Sequence, residues 1–427
     1  MKKTVVSLVA LSVVLLVAWV AISFFGGHRA QQGIEALIDQ SPETTPLRFS
    51  DLKHEQGLLS SNGTVILHYL DPNADQQPRQ DLFQMEIAYE LDHRATFERM
   101  VSFDWTAALI GEGAQNMMRT FEDNPSLSGT GSLDWQGLAQ SNYIIPALRA
   151  EQEDEVLDMS AITGNLKLQG KQFWFDLMMP SVEVTGEDGT YRLSNIALDL
   201  HANDRFTGQG RSEFSVQQFD FPDGQAKGFK VIGENVLADD RVDVAIKKSI
   251  DNLTVADTNV SDVALDLMLD GLYAPSVASL SAVMNVAGNL DNLTPDQQKI
   301  VQGALRDLFI NGFSVGITDL SAATNQGSVA GQAIATVTAA ADPSADFQFD
   351  ARTQLEVIAG LDVTGQAVAP EVTALGMMFG VLVPNENGFK GSLSLNQGKL
   401  TINGTVVPFA EELAQINAMI TEVLRGD

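Results

Sequence analysis

The stretch VDVAIKKSIDNLTVADTNVSDVALDLMLD, residues 242–270, decides the fold. In it Val242, Val244 and Ile246 alternate with their neighbours, and Val263, Leu265, Leu267 and Leu269 do so again. A period of two is that of a strand with one buried face. The same period runs through Ile162 to Leu272, in Leu166 and Leu168, Val182 and Val184, Tyr191 and Leu193, Ile196 with Leu198 and Leu200, Phe214 and Val216, and Phe229 and Val231. Turn signals at short spacing separate these runs, among them Glu187-Asp188-Gly189 and Pro222-Asp223-Gly224. No helical crossover pattern intervenes. The sheet is therefore expected to be antiparallel and meandering, with one apolar face and one wet face.

Upstream, Phe49 to about Asp104 is extended in pattern, with Asp71 to Arg79 as a connecting loop. Between Ala107 and Ala150 the alternation weakens, and Asn142 to Arg149 is predicted as a short helix interrupted by Pro146. Downstream, Thr294-Pro295-Asp296-Gln297 places a hydroxyl at the N-cap, proline at N1 and an amide at N3. Helical spacing follows to Phe309, and Gly312 is placed to stop the helix in the left-handed conformation. Val277 to Ala287 is its expected partner. Strands resume at Phe313 to Val315, Gly331 to Val337, Phe347 to Ala359 and Val363 to Ala367. A methionine-rich helix is expected over Pro370 to Leu382. Strands Gly391 to Leu395 and Lys399 to Ile402 precede a final helix, Phe409 to Leu424, carrying Leu413, Ile416, Met419, Ile420 and Leu424.

Residues Val5 to Phe25 form an apolar run without charge behind Lys2 and Lys3. As a helix it would reach roughly 31 Å, the hydrocarbon thickness of a bilayer. The two lysines favour a cytoplasmic N-terminus, and Trp19 lies toward the far end, where indoles favour the interface. A cleaved signal peptide is the competing reading. Its apolar region is usually shorter and ends in an A-x-A-like site, whereas Ala18 and Ala21 are separated by Trp19 and Val20. A retained single-pass anchor is preferred, with the bulk of the chain in the periplasm of a bacterium. The expected fold class is mainly β with helical insertions, α+β: an N-terminal transmembrane helix and then a long, twisted, mostly antiparallel meandering sheet. Residues 1–27 form the tip and anchor and 28–48 a juxtamembrane helix and linker. Residues 49–272 form a β-rich region, and 273–427 a C-terminal α/β region with the helical hairpin and closing strands.

Composition limits the partners. The 427 residues carry a formal net charge of −29, which repels nucleic acid and anionic headgroups, so proximity to a membrane would come from the apolar run. Cysteine is absent, which excludes disulfides, thiolate catalysis and cysteine metal sites.

The string Glu55-Gln56-Gly57-Leu58-Leu59-Ser60-Ser61 resembles the start of a bacterial family grouped as domain of unknown function 945, also called YdgA-like. The basic N-terminus with its apolar run, the repeated strand pairs, and Gly391 to Leu395 with Gly398-Lys399-Leu400-Thr401-Ile402-Asn403-Gly404 extend the resemblance over nearly the whole chain. It implies a location and an architecture but no reaction. Taken alone, Gly57 suits a turn or close strand approach, Ser60 and Ser61 suit a strand end, and Asn403-Gly404 marks a tight hairpin.

No catalytic constellation is found. His28, His54, His68, His93 and His201 lack metal-ligand spacing and most read as surface or strand residues; no nucleophile elbow, dinucleotide loop or calcium loop occurs. No catalytic residue, cofactor or metal ligand is assigned. Two functions are carried forward. The first is a structural or interaction protein of the cell envelope, with a homo-oligomer or an envelope protein as partner. The alternative is a carrier of lipid or another apolar ligand in a sheet groove, resembling the AsmA-like bridge proteins. A carrier needs an apolar face that helices leave uncovered. Because the four C-terminal helices were available to plug that face, the scaffold is the preferred expectation.

Overall fold

A computed structural model of the chain describes residues 47–57, 59–70, 81–111, 126–152, 154–204, 209–256, 258–287, 293–341 and 347–425. Lys2, Lys3, Trp19, the apolar run, the juxtamembrane helix, the loop Asp71 to Arg79 and Leu58 lie outside them. Among the described residues, no helix is long and apolar enough to cross a membrane. The chain divides into two compact units, one drawn from Met1–Gly189 and Leu198–Phe206, the other from Thr190–Ala197 and Thr207–Asp427.

The first unit holds β1 (Leu47–Gln56), β2 (Ser60–Leu70), β3 (Asp81–Asp92), β4 (Val101–Ile110), β5 (Ser126–Leu133), β6 (Ala139–Ile145), β7 (Leu148–Gln152), β8 (Glu155–Met159), β9 (Ile162–Gln169) and β10 (Gln172–Gly186). From β1 to β6 each strand pairs antiparallel with the one before it. The hairpin β7–β8 is an excursion: β6 pairs onward with β9, while β10 pairs with β9 along its first half and with β8 along its second. One buried cluster, Leu91, Met100 and Val101, gathers Tyr89, Phe103 and Leu133. Strand β11 (Gly189–Asp204) is divided between the two units.

The second unit continues with β12 (Gln209–Phe221), β13 (Gly224–Ala238), β14 (Arg241–Val255) and β15 (Thr258–Tyr273). The helices α1 (Ala274–Ala287) and α2 (Pro295–Asn311) follow, then β16 (Phe313–Thr324), β17 (Gly327–Val337), the one-turn α3 (Ala351–Gln354) and β18 (Leu355–Gly365). Last come α4 (Pro370–Met378), β19 (Val383–Asn385), β20 (Gly388–Asn396), β21 (Lys399–Ile402), β22 (Thr405–Val407) and α5 (Ala410–Arg425). From β12 to β18 consecutive strands pair antiparallel. Strand β20 then adds to β18, with β19 and β21 on successive halves of its other edge. This mostly antiparallel meander follows from the period-two pattern and the two-residue turns.

The expected capping box at α2 is present: Gln297 N–H donates to Thr294 Oγ1, and the Gln297 side chain returns to the Thr294 N–H. Gly312 ends the helix at φ 73° and ψ 156°, a more extended conformation than the left-handed stop expected of it. Its ideal Cβ would lie 2.6 Å from the Val337 carbonyl oxygen, so a side chain is excluded. Helix α5 buries Leu413 and packs Ile416, Ile420 and Leu424 into a cluster with Val337, Phe349, Leu395 and Leu400. Met419 is 60% exposed and lies off that stripe.

Two segments differ from expectation. Asn142 to Arg149 is not helical: β6 ends at Ile145 and β7 begins at Leu148. Pro146 removes a donor and biases the residue before it to extended backbone, while Ser141 is buried and Asn142 is exposed, the alternation of a strand. Residues 347–354 are not strand either. Asp350 caps the short α3 by accepting from the Arg352 N–H, and Ala351 N–H donates to Asn417 Oδ1 of α5, which turns the chain before β18 begins.

Candidate functional site

The register of the second unit gathers its alternating residues into rows on one face. One row runs Val244, Leu269, Val315, Ala335, Val357 and Leu395 from β14 to β20; the next runs Ile246, Leu267, Ile317, Ala333, Ala359 and Leu393. A third includes Leu265, Leu320, Gly331 and Leu361. Ile317 and Leu320 share this face although they are three apart, because β16 bulges between them. The opposite face carries Lys247, Asp266 and Asp319 in register. One side is therefore mainly apolar, with Lys248 in register with Leu265, and the other is mixed, carrying Lys247, Asp266 and Asp319 beside Met268, Ile334 and Ile358.

The apolar side is covered only in part. The cluster around Leu395, Leu400 and Leu413 closes it over Val357, Leu393 and Leu395 by means of α2 and α5. Leu382, only 7% exposed, closes it near Gly391 on β20. The remaining helix α1 packs chiefly on α2. From Gln217 to Pro275 no described residue is fully buried, and Leu269, Val315 and Leu320 are 37%, 40% and 40% exposed. The four helices expected to fill the sheet leave its apolar side from β14 to β16 partly exposed, with α1 reaching β14 and β15 and α2 reaching β15. This face is the candidate site.

A second concavity, of about 910 Å³, lies on the polar face of β1 to β6 in the first unit. Its wall is a row of exposed polar residues, Glu55, Asn62, Glu90, Asp104, Thr130 and Asn142, in register across six strands. The opposite face of the same strands is apolar and is built from aromatic rings laid over glycines. An ideal Cβ on Gly63 would meet Tyr89, on Gly129 Trp105, on Gly131 Phe103 and on Gly164 Tyr143, each at 2.6 Å or less. Trp105 Nε1 donates to Ser141 Oγ at 2.8 Å, and the Tyr143 hydroxyl donates to the Asp176 carbonyl at 3.1 Å. Burial pushes the Tyr143 phenol up to about 12, with the Asp176 charge adding to the effect.

The N-terminal motif lies at the corner of this unit. Gly57 donates its N–H to the Ser60 carbonyl at 2.8 Å, and its ideal Cβ would lie 2.5 Å from that oxygen, so glycine is required. Ser60 is exposed and Ser61 is 2% exposed. Ser61 Oγ and both His93 ring nitrogens are buried without a hydrogen-bond partner among the described residues. Among the histidines read mostly as surface or strand residues, His93 is the exception: it lies just past β3 and is fully buried. Burial holds its imidazole below the usual 6.5, and the nearby His54 acts in the same direction.

The C-terminal motif is structural and tightly held. Asn403 and Gly404 have φ of 49° and 79°, which is the left-handed pair of a tight hairpin turn between β21 and β22. Asn403 Oδ1 accepts from the Ser392 N–H at 2.8 Å, and its Nδ2 donates to the carbonyls of Gly380 and Val381 at 2.8 and 3.1 Å. The motif thus fixes the segment that follows α4. Gly398, at φ 70°, makes the preceding turn against Leu413 and Arg352.

Two carboxyls meet at the β14–β15 end. A hydrogen bond with Asp243 raises the Asp270 carboxyl above its ordinary 3.8, and Asp243 Oδ1 accepts from the Gly271 N–H. Arg241 donates to the carbonyls of Gly271 and Gly312. Among the described residues, no group of three or more histidine, aspartate or glutamate side chains could hold a metal ion. A family model described as "Bacterial protein of unknown function (DUF945)" matches residues 1–410. No curated protein and no solved structure matches the chain.

Proposed function

The chain belongs to the bacterial family DUF945, and from that premise we propose that it is a membrane-tethered carrier that holds lipid, or another apolar ligand, on the open side of its second sheet. The observation that carries this reading is the apolar face of β14 to β16, where Leu265, Leu267, Leu269, Val315 and Ile317 stand in register and Leu269 and Val315 are more than a third exposed. Leaving such a surface in water costs on the order of 25 cal/mol for each Å². An occupant with acyl chains removes that cost. The uncharged run Val5 to Phe25 supplies the tether and places the sheet beside its ligand source, the inner membrane, on the periplasmic side. The reading assigns no reaction.

The scaffold alternative fills the same face with another protein. A photo-crosslinking residue in place of Leu267, in the full chain in cells, separates the two. Lipid adducts at position 267, and none when the crosslinker replaces Asp266 on the opposite face, are the expected result. Protein adducts without lipid would overturn the carrier reading in favour of the scaffold.

A further inference from the structure

We propose that α4 and the turn after it form the point at which the protein dips into a bilayer and through which acyl chains reach the apolar face. The inference rests on the carrier reading and adds a portal to it. From Val372 to Asn385 the chain bears no charge, with Glu371 and Glu386 on either side. Val372, Leu375, Met377, Met378, Phe379 and Val381 are between 41% and 70% exposed, with Met378 and Phe379 the most open. A helix apolar all round is stable when it is covered, and α4 is covered on one side only, where Gly376 lies against the buried Leu382.

The patch adjoins the covered margin of the apolar face at β18 and β20. Leu382 and the Val381 carbonyl lie over Gly391, which stands opposite Leu361 on the apolar face. Asn403 holds that segment by its two bonds to the carbonyls of Gly380 and Val381. Between Phe379 and the β18 rows stand the buried Leu382 and Val363, so an acyl chain entering there displaces Leu382 to reach Leu361. The occupant argued for is a lipid bilayer, because Met and Phe side chains at a charge-free tip suit hydrocarbon and because the net charge of −29 repels a second copy of the chain. The same charge disfavours anionic headgroups, so a zwitterionic surface is the preferred one.

The absence of native cysteine allows a single fluorescent label at Phe379→Cys in the full chain, reconstituted into phosphatidylcholine vesicles. An environment-sensitive dye at 379 should emit to the blue of the same dye at Asp188→Cys, in the turn after β10. It should also be quenched by spin-labelled acyl chains, and less so when phosphatidylglycerol replaces part of the lipid. A dye at 379 that is no more quenched than the one at 188 would overturn the proposal, including the case in which self-association alone shifts its emission. Lipid adducts at position 267 with an unquenched dye at 379 would remove the portal and leave the carrier standing. Quenching at 379 without such adducts would support bilayer contact by α4 and remove the carrier.

Discussion

His93 holds an imidazole at zero exposure with neither nitrogen bonded among the described residues, one position past Asp92, whose carboxyl the Arg94 guanidinium keeps below its usual value. Such a ring is stable when neutral and costly when charged. Its folded-state value lies below 6.5, so in acid the unfolded chain binds the proton more readily. The corner is therefore fully stable above about pH 6.5 and loses stability as pH falls below it. Melting temperatures from pH 8 to pH 5 should fall less steeply in His93→Leu than in the wild type. Parallel slopes would show that another group carries the acid sensitivity. Nothing in the spacing of the five histidines marked this one, because its burial comes from residues distant in sequence.

At the scale of elements, short polar signals hold long strands in place. The β21–β22 hairpin shows how: Asn403 sets the turn by its backbone and reaches the end of α4 by its amide. Asn403→Asp retains a side chain that tolerates positive φ and accepts from Ser392, but it gives up both donors and sets a carboxylate beside two carbonyls. A loss of about 1–3 kcal/mol is expected. Faster amide exchange at Val381 and Leu382 than in β17 should accompany it, and unchanged exchange there would mean that the amide bonds do not fix the segment. The turn was legible from Asn-Gly alone; its reach to Gly380 was not, since that contact is tertiary. The strands of the second unit were legible because valine, leucine and isoleucine recur every second residue. Those of β4 to β6 were faint because Gly129 and Gly131 occupy inward positions that Trp105 and Phe103 fill from the neighbouring strand. A ring lent across a strand pair leaves no mark in the recipient's own pattern.

At the scale of the whole molecule, the chain's polarity sorts by face more than by region. The sequence pattern implied an apolar side and a wet side. It did not show that α5 would close over Leu395 and Leu400 while α1 packs chiefly on α2, since a helix's apolar stripe does not say which surface it will meet. The tether belongs to this scale too. A phosphatase reporter that works only outside the cytoplasm, fused after Asp427, should be active and sediment with membranes. Activity in the soluble fraction would mean that the apolar run is cleaved, and an inactive reporter would reverse the topology.

With the exception of β7–β8 and the inserted helices, nearly every strand pairs with the strand made just before it. Contacts of this kind close small loops and suit rapid, stepwise formation. A chain emerging end-first from a pore could therefore lay down its sheet one hairpin at a time, each new strand finding a finished edge waiting. Each finished hairpin would then offer its free edge as the template on which the following strand is laid down.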